Sequence, residues 1–305
     1  MVTEETGRAA RLRRMHDIET IAVVGAGTMG RGIAQSAATA GYRVVLIDEQ
    51  PGAAAAAMTS IADMLSKLVE KAKMKGSERN AAMTLLSTAG TLAEGVSHAG
   101  LVIEAVPESL ALKMAIFGEL DRSVPASAIL ASNTSSLPIG RIAKATSRPE
   151  RVVGMHFFNP VPLMPLLEIV RAEATSEDTI AAAVLVAKRL GKDPIIVRDT
   201  PGFATSRLGV LLGLEAIRML EAGVASAEDI DKAMTLGYGH PMGPLKLTDL
   251  VGLDVRLAIA DYLQTELGPS FTPPRILRER VAAGKLGKKT GEGFYVWDGD
   301  TTRSS

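Results

Sequence analysis

The sequence predicts an α/β chain: a doubly wound, mostly parallel sheet over the first two thirds, then a smaller all-α domain. Three observations predict it. Short apolar runs alternate with longer helical patterns up to about residue 200. The first such run leads at once into a glycine-rich turn and a helical stretch. Beyond Pro201-Gly202 only helical patterns follow.

Residues 21–24 form an uninterrupted apolar run, as a strand covered on both faces should. A helix is expected over 29–40 and a second strand over 44–47, ending in Asp48. A long alanine-rich helix is expected over 51–75, with Pro51 at its start, where a missing N–H costs nothing. Residues 101–103, 128–130, 152–158, 166–170 and 195–197 read as further strands. After Pro201, helices are expected over 203–221, 227–236, 245–267 and 275–283, with no strand between them. Ser226 and Asp229 form a capping-box-like pair at one helix start. Leu245, Leu250, Leu253, Leu257 and Ile259 give an apolar face broad enough to bury.

Composition narrows the function classes. Of 305 residues, 47% are hydrophobic and 22% charged, as in a globular protein with sizeable cores. Lys+Arg and Asp+Glu are 34 each, so no net field favours nucleic acid or a membrane surface, and an anionic ligand needs a local patch. The absence of cysteine removes thiolate metal sites, thiol nucleophiles and disulfides, and no metal site is expected. No apolar run reaches the roughly 18 residues of a membrane span. Residues 1–17 hold both arginines and glutamates without an apolar core, which reads as a flexible tail rather than a secretory signal. A cytoplasmic protein is expected.

The turn Gly25-Ala-Gly27-Thr28-Met29-Gly30 lies between a strand and a helix, and an acid ends the next strand. That context makes a G-x-G-x-x-G pattern a dinucleotide fingerprint of the Rossmann type. Gly25 allows the tight turn, Gly27 lets the backbone approach a pyrophosphate, and Gly30 lets helix and strand pack closely. The helix N-terminus then faces the phosphates. Asp48 can accept both hydroxyls of the adenosine ribose, while a 2′-phosphate would meet Asp48 and Glu49 with no adjoining arginine. NAD is therefore expected in preference to NADP. A bare turn or a flavin site fits the same glycines.

Four histidines occur: His16, His98, His156 and His240. His16 and His98 read as surface residues and His240 as part of a turn. His156, in Met155-His-Phe-Phe-Asn-Pro160, lies on one of two strand candidates joined by a proline-rich turn, with Glu168 on the other. Face to face, the carboxylate would fix the imidazole tautomer and raise the basicity of the free nitrogen, which suits proton removal from a hydroxyl. A core histidine beside a salt-bridged glutamate fits the spacing equally well.

Gly25-Ala-Gly-Thr-Met-Gly-Arg-Gly-Ile-Ala-Gln35, Ser132-Asn-Thr-Ser-Ser-Leu137, His156-Phe-Phe-Asn-Pro160, Asp199-Thr-Pro-Gly-Phe203 and Pro241-Met-Gly-Pro244 occur in an order that resembles the 3-hydroxyacyl-CoA dehydrogenase family. The likeness is greatest to the short bacterial 3-hydroxybutyryl-CoA dehydrogenases and runs from about Ile18 to Trp297. It implies NAD-dependent interconversion of a 3-hydroxyacyl-CoA and its 3-ketoacyl-CoA, with an acyl-CoA substrate and a homodimer. It implies a dinucleotide domain over 18–201 and a substrate and dimerisation domain over 202–305. By the same likeness His156 matches the acid/base and Glu168 the carboxylate that orients it. Ser135 matches a hydroxyl on the substrate oxygen, and Asn159 an amide near the nicotinamide. Glu108 and Lys113 match residues beside the nicotinamide ribose and carboxamide, and Asn133 joins the cofactor residues. Ser206 stands where the family commonly has Asn, a shorter donor toward the substrate carbonyl. Lys67, Lys71 and Lys75 recur every four residues on the expected long helix, so they share a face, and Lys71 with Lys67 is expected to meet CoA phosphate. Two rival readings are a related dehydrogenase with a non-CoA substrate, of the L-gulonate dehydrogenase and lambda-crystallin group, and a non-catalytic NAD-binding structural protein.

Overall fold

A computed structural model describes residues 18–299 and 301–304; His16 and the rest of the expected tail lie outside the described residues. The chain divides into two compact units that meet at Asp199 and Thr200.

The first unit is built on one eight-stranded sheet. In chain order its elements are β1 (Thr20–Val24), α1 (Thr28–Thr39), β2 (Arg43–Ile47), α2 (Ala53–Glu70), α3 (Gly76–Thr84), β3 (Leu86–Thr88), α4 (Leu92–Val96) and β4 (Leu101–Glu104). There follow α5 (Leu110–Ser123), β5 (Ile129–Ser132), α6 (Ile139–Ala143), β6 (Val152–Phe157), β7 (Leu166–Arg171), α7 (Glu177–Arg189) and β8 (Asp193–Arg198). The strand order is β3-β2-β1-β4-β5-β6-β7-β8. Every pairing is parallel except β6 with β7. The inner strands β4, β5 and β6 are buried along their whole length, which is why they read as continuous apolar runs rather than alternating ones. The order reverses at β1, between β2 and β4, so the crevice at the carboxyl ends of these strands is the place where such sheets bind ligands.

Two expectations here need correction. The helix expected over 51–75 ends at Glu70; Ala72 takes φ 53 and turns the chain, and Lys75 precedes a separate helix, α3, whose Glu78 accepts from the Lys75 N–H at 2.8 Å. Lys75 therefore does not share a helix face with Lys67 and Lys71. The short strand β3 and helix α3 were not foreseen.

The second unit holds α8 (Thr205–Glu221), α9 (Ala227–Lys232), α10 (Pro244–Val251), α11 (Leu253–Leu267) and α12 (Arg275–Ala282). It ends in an antiparallel hairpin, β9 (Tyr295–Asp298) and β10 (Thr301–Ser304). Ser226 caps α9, accepting from the Asp229 N–H at 3.1 Å. The single helix expected over 245–267 is broken at Gly252, whose φ of 103 no helix can carry. The helix expected over 227–236 closes in a wider π turn over Ala233–Gly237. Its core gathers Val210, Leu214, Leu245, Leu263, Phe271 and Phe294 among others. Asp249 is fully buried inside it and accepts from the backbone N–H of Phe294 and Tyr295 and from the Trp297 indole, at 2.8, 2.9 and 2.9 Å. That acid ties the terminal hairpin to α10. Among the described residues no helix is long and apolar enough to cross a membrane.

Candidate active site

The glycine-rich turn leaves β1 at the point where the sheet reverses. Gly25 has φ 101, and a Cβ there would lie 2.7 Å from the carbonyl oxygen of Ala105. A Cβ on Gly30 would lie 1.8 Å from the Gly25 carbonyl oxygen, so the helix can approach its own turn only without a side chain. At Gly27 no atom lies within 4 Å of a built Cβ, and Gly27 and Thr28 face solvent while Met29 packs partly on the core. The N-terminus of α1 has neither a side-chain cap nor an acid in its first turn. Its N–H groups and the positive end of its dipole are therefore available to an anion.

Asp48 stands at the end of β2. Its Oδ2 accepts from the Ala26 N–H at 2.7 Å and its Oδ1 from the Gln50 N–H at 2.9 Å. Each oxygen keeps a lone pair for a further donor, as a ribose diol requires. Open glycine, uncapped helix and half-exposed carboxylate fit an adenine dinucleotide without a 2′-phosphate.

A second cluster joins the carboxyl ends of β4 and β5 to α5. Lys113, 1% exposed, pairs with the fully buried Glu104 at 2.6 Å and donates to the Val106 carbonyl at 3.2 Å. It also lies 3.4 Å from Glu108. Glu104 accepts in addition from the Val106 N–H at 2.8 Å and the Ser132 hydroxyl at 2.7 Å. Glu108 accepts from the Thr134 hydroxyl at 2.5 Å and the Ser135 N–H at 3.0 Å. The loop that presents Ser135 thus hangs from Glu108, and Lys113 anchors Glu108 to the sheet. The family resemblance points to Glu108, Lys113 and Ser135 but gives no role to Glu104 or Ser132. The available signal was an acid ending an otherwise apolar strand, a position that needs a partner.

His156 and Glu168 are register partners on the antiparallel strands β6 and β7. Their side chains meet with Nδ1 and Oε2 2.7 Å apart, the histidine 4% exposed and the glutamate fully buried. The Phe158 ring lies beside the imidazole, with centroids 4.5 Å apart. Asn133 accepts from the Phe157 N–H at 2.8 Å, which locks the β5 loop to the strand that bears His156. Asn159 is exposed just beyond that strand and precedes a cis proline. A buried carboxylate on Nδ1 favours the tautomer that carries its proton on that nitrogen.

The remaining positions belong to other elements. Lys67 and Lys71 are exposed, Lys67 in the last turn of α2 and Lys71 at its C-cap. Ser206 is half-buried in the first turn of α8, in the second unit. His98 is exposed, and His240 is half-buried with its N–H on the Met234 carbonyl.

Residues 20–200 match the model of the 3-hydroxyacyl-CoA dehydrogenase NAD binding domain, and residues 202–297 match that of its C-terminal domain. A 3-hydroxybutyryl-CoA dehydrogenase of Mycobacterium tuberculosis is 46% identical over 283 residues, 92% of this chain and 99% of that one. The human mitochondrial hydroxyacyl-coenzyme A dehydrogenase is 44% identical over 287 residues, 92% of this chain and 91% of that one. The crystal structure of (S)-3-hydroxybutyryl-CoA dehydrogenase PaaH1 from Ralstonia eutropha superposes with a TM-score of 0.88 at 42% identity, covering 92% of this chain and all of that one. With the dinucleotide turn and the His156–Glu168 pair in place, the chain belongs to the 3-hydroxyacyl-CoA dehydrogenase family.

Proposed function

We propose that the chain interconverts a short (S)-3-hydroxyacyl-CoA and the matching 3-ketoacyl-CoA with NAD, 3-hydroxybutyryl-CoA being the simplest such substrate. The observation that carries this reading is the buried His156–Glu168 pair, held on adjacent strands of the dinucleotide unit. NAD supplies the hydride acceptor when bound, held by Gly25, Gly27, Thr28, Met29, Gly30 and Asp48, with Glu108, Lys113 and Asn133 around the reactive half. The protein's own part is the proton. In oxidation, His156 Nε2 takes the proton of the 3-hydroxyl; in ketone reduction it returns one as charge grows on that oxygen. Glu168 stabilises the imidazolium that forms in between. The Ser135 hydroxyl, on the loop held by Glu108, donates to the same oxygen, with Asn159 as a further polar contact.

NADH oxidation followed by absorbance tests this directly. Acetoacetyl-CoA is turned over far faster than acetoacetate if the reading holds; the opposite preference would move the protein to the non-CoA dehydrogenases.

The CoA end is assigned to Lys71, with Lys67 one turn earlier on the exposed side of α2. Phosphate contacts weaken as salt screens them. The KM for acetoacetyl-CoA therefore rises with ionic strength in the wild type and rises less in Lys71→Ala. Identical salt dependence in the two proteins would remove Lys71 from the CoA site.

A further inference from the structure

The turn that joins β6 to β7, residues 158–165, links the strand of His156 to the strand of Glu168 and carries Asn159. Pro160, Pro162 and Pro165 remove three backbone donors from it. The N–H groups of Leu163 and Met164 both turn back to the Pro160 carbonyl, at 2.9 and 3.0 Å. The carbonyls of Val161 and Met164 are taken by a side chain instead. Lys192 donates its ammonium to both, at 2.8 Å in the case of Met164. Lys192 is 8% exposed, and no carboxylate of the described residues pairs with it. Burial holds its ammonium below the usual lysine range. A buried cation without a counter-charge costs stability, so a fold that keeps one is using its donors.

The lysine stands on a fixed base. Its own N–H donates to the Ala187 carbonyl at 2.9 Å, which closes the end of α7. The next N–H, of Asp193, donates to the Pro165 carbonyl at 2.7 Å, and Asp193 then opens the register of β8 with β7 opposite Leu166. The turn is seated from its other side as well. Val161 is 2% exposed, and a Cβ on Gly32 of α1 would stand 2.9 Å from the Val161 Cβ. The turn therefore rests on the dinucleotide helix at a point where only glycine fits. Asn159 is exposed two residues before this anchor. All of these groups belong to the first unit.

We propose that Lys192 is a positioning residue: by holding the Val161 and Met164 carbonyls it fixes the β6–β7 turn, and so the approach of Asn159 to the reacting oxygen. The inference rests on the function proposed above, in which Asn159 is a polar contact of that oxygen. A charged donor shared by two carbonyls makes stronger bonds than a neutral one, so the turn is held in one setting. A shift of about 1 Å in a group that meets the substrate costs up to about 10²-fold in rate. Lys192 itself touches neither reactant and acts through Asn159.

The experiment is a double-mutant cycle on the full chain, with kcat and KM for acetoacetyl-CoA reduction by NADH measured in wild type, Lys192→Met, Asn159→Ala and the double variant. Lys192→Met should lower kcat by roughly 10- to 100-fold and change the KM for acetoacetyl-CoA little. Asn159→Ala should lower kcat by a similar factor. Lys192→Met added to Asn159→Ala should then cost less than about 3-fold more, because no amide is left to position. An effect of Lys192→Met that is equally large in both backgrounds would make Lys192 a structural residue only. So would an unchanged kcat in Lys192→Met, whatever its melting temperature. If Lys192→Met does not fold, Lys192→Gln, which keeps a donor for one carbonyl, takes its place in the cycle with the same deciding outcomes. Full activity in Asn159→Ala would remove Asn159 from the site and this proposal with it, and leave the acyl-CoA reading standing. A wild type that does not turn over acetoacetyl-CoA would overturn that reading itself, and the proposal with it.

Discussion

His156→Gln lowers kcat for acetoacetyl-CoA reduction by about 10²- to 10⁴-fold, the usual worth of a positioned acid/base. The affinity for NADH stays essentially unchanged, because the glycine turn and Asp48 are separate from the β6–β7 pair. Glutamine preserves side-chain polarity and can hydrogen-bond Glu168, so the fold is retained. What it lacks is a ring nitrogen that can take up and release a proton. The size of the loss follows from burial. His156 is 4% exposed and its Nδ1 is held by a carboxylate with no exposure at all. Bulk water cannot easily replace a proton carrier at such a site. A loss confined to KM with kcat intact would assign His156 to substrate binding alone.

Lys113→Met carries the largest stability effect. The ammonium is 1% exposed and neutralises Glu104, which is wholly buried. Removing one partner of a buried ion pair leaves an uncompensated charge and costs about 3–5 kcal/mol. For a unit of this size that is a fall in melting temperature of roughly 6–20 °C. Activity falls as well, since Glu108 loses its tie to the sheet and the Ser135 loop hangs from Glu108. The double variant Glu104→Gln, Lys113→Met should recover much of the stability, because the glutamine oxygen accepts from the Val106 N–H and its NH2 can donate to the Ser132 hydroxyl, without the charge. Thermal melts of the two variants check this; equal instability in both would place the cost in lost packing.

How much of this was legible beforehand depends on how local each signal is. The parallel strands were legible because burial on both faces leaves unbroken apolar runs such as 21–24 and 101–103. The dinucleotide turn was legible because its glycines have steric reasons confined to a few residues. The meeting of His156 and Glu168 was legible once two strands and a short proline-rich turn were assumed, since antiparallel pairing then sets the register.

Other features depended on contacts distant in sequence. Nothing local marks Ala72 as the residue that takes a positive φ and ends α2, so the lysine row was drawn one turn too long. Gly252 fell within one expected helix, yet its φ of 103 ends α10 there, and a Cβ on it would crowd Asp254 and Lys289. The terminal hairpin has only two short strands and is held by Asp249, an acid on a different element. Lys113 read as a cofactor residue from the resemblance, but its ties to Glu104, Val106 and Glu108 come from three separate stretches of chain and were not foreseen.

The most direct measurement of the central claim is the first turnover of NADH-loaded enzyme mixed with acetoacetyl-CoA, in wild type and His156→Gln side by side. It separates the chemical step from product release. The account predicts rapid loss of NADH absorbance in wild type and a first turnover slower by about 10²-fold or more in the variant. Equal first-turnover rates in the two proteins would contradict it, and the buried His156–Glu168 pair would then be part of the core and not of the chemistry.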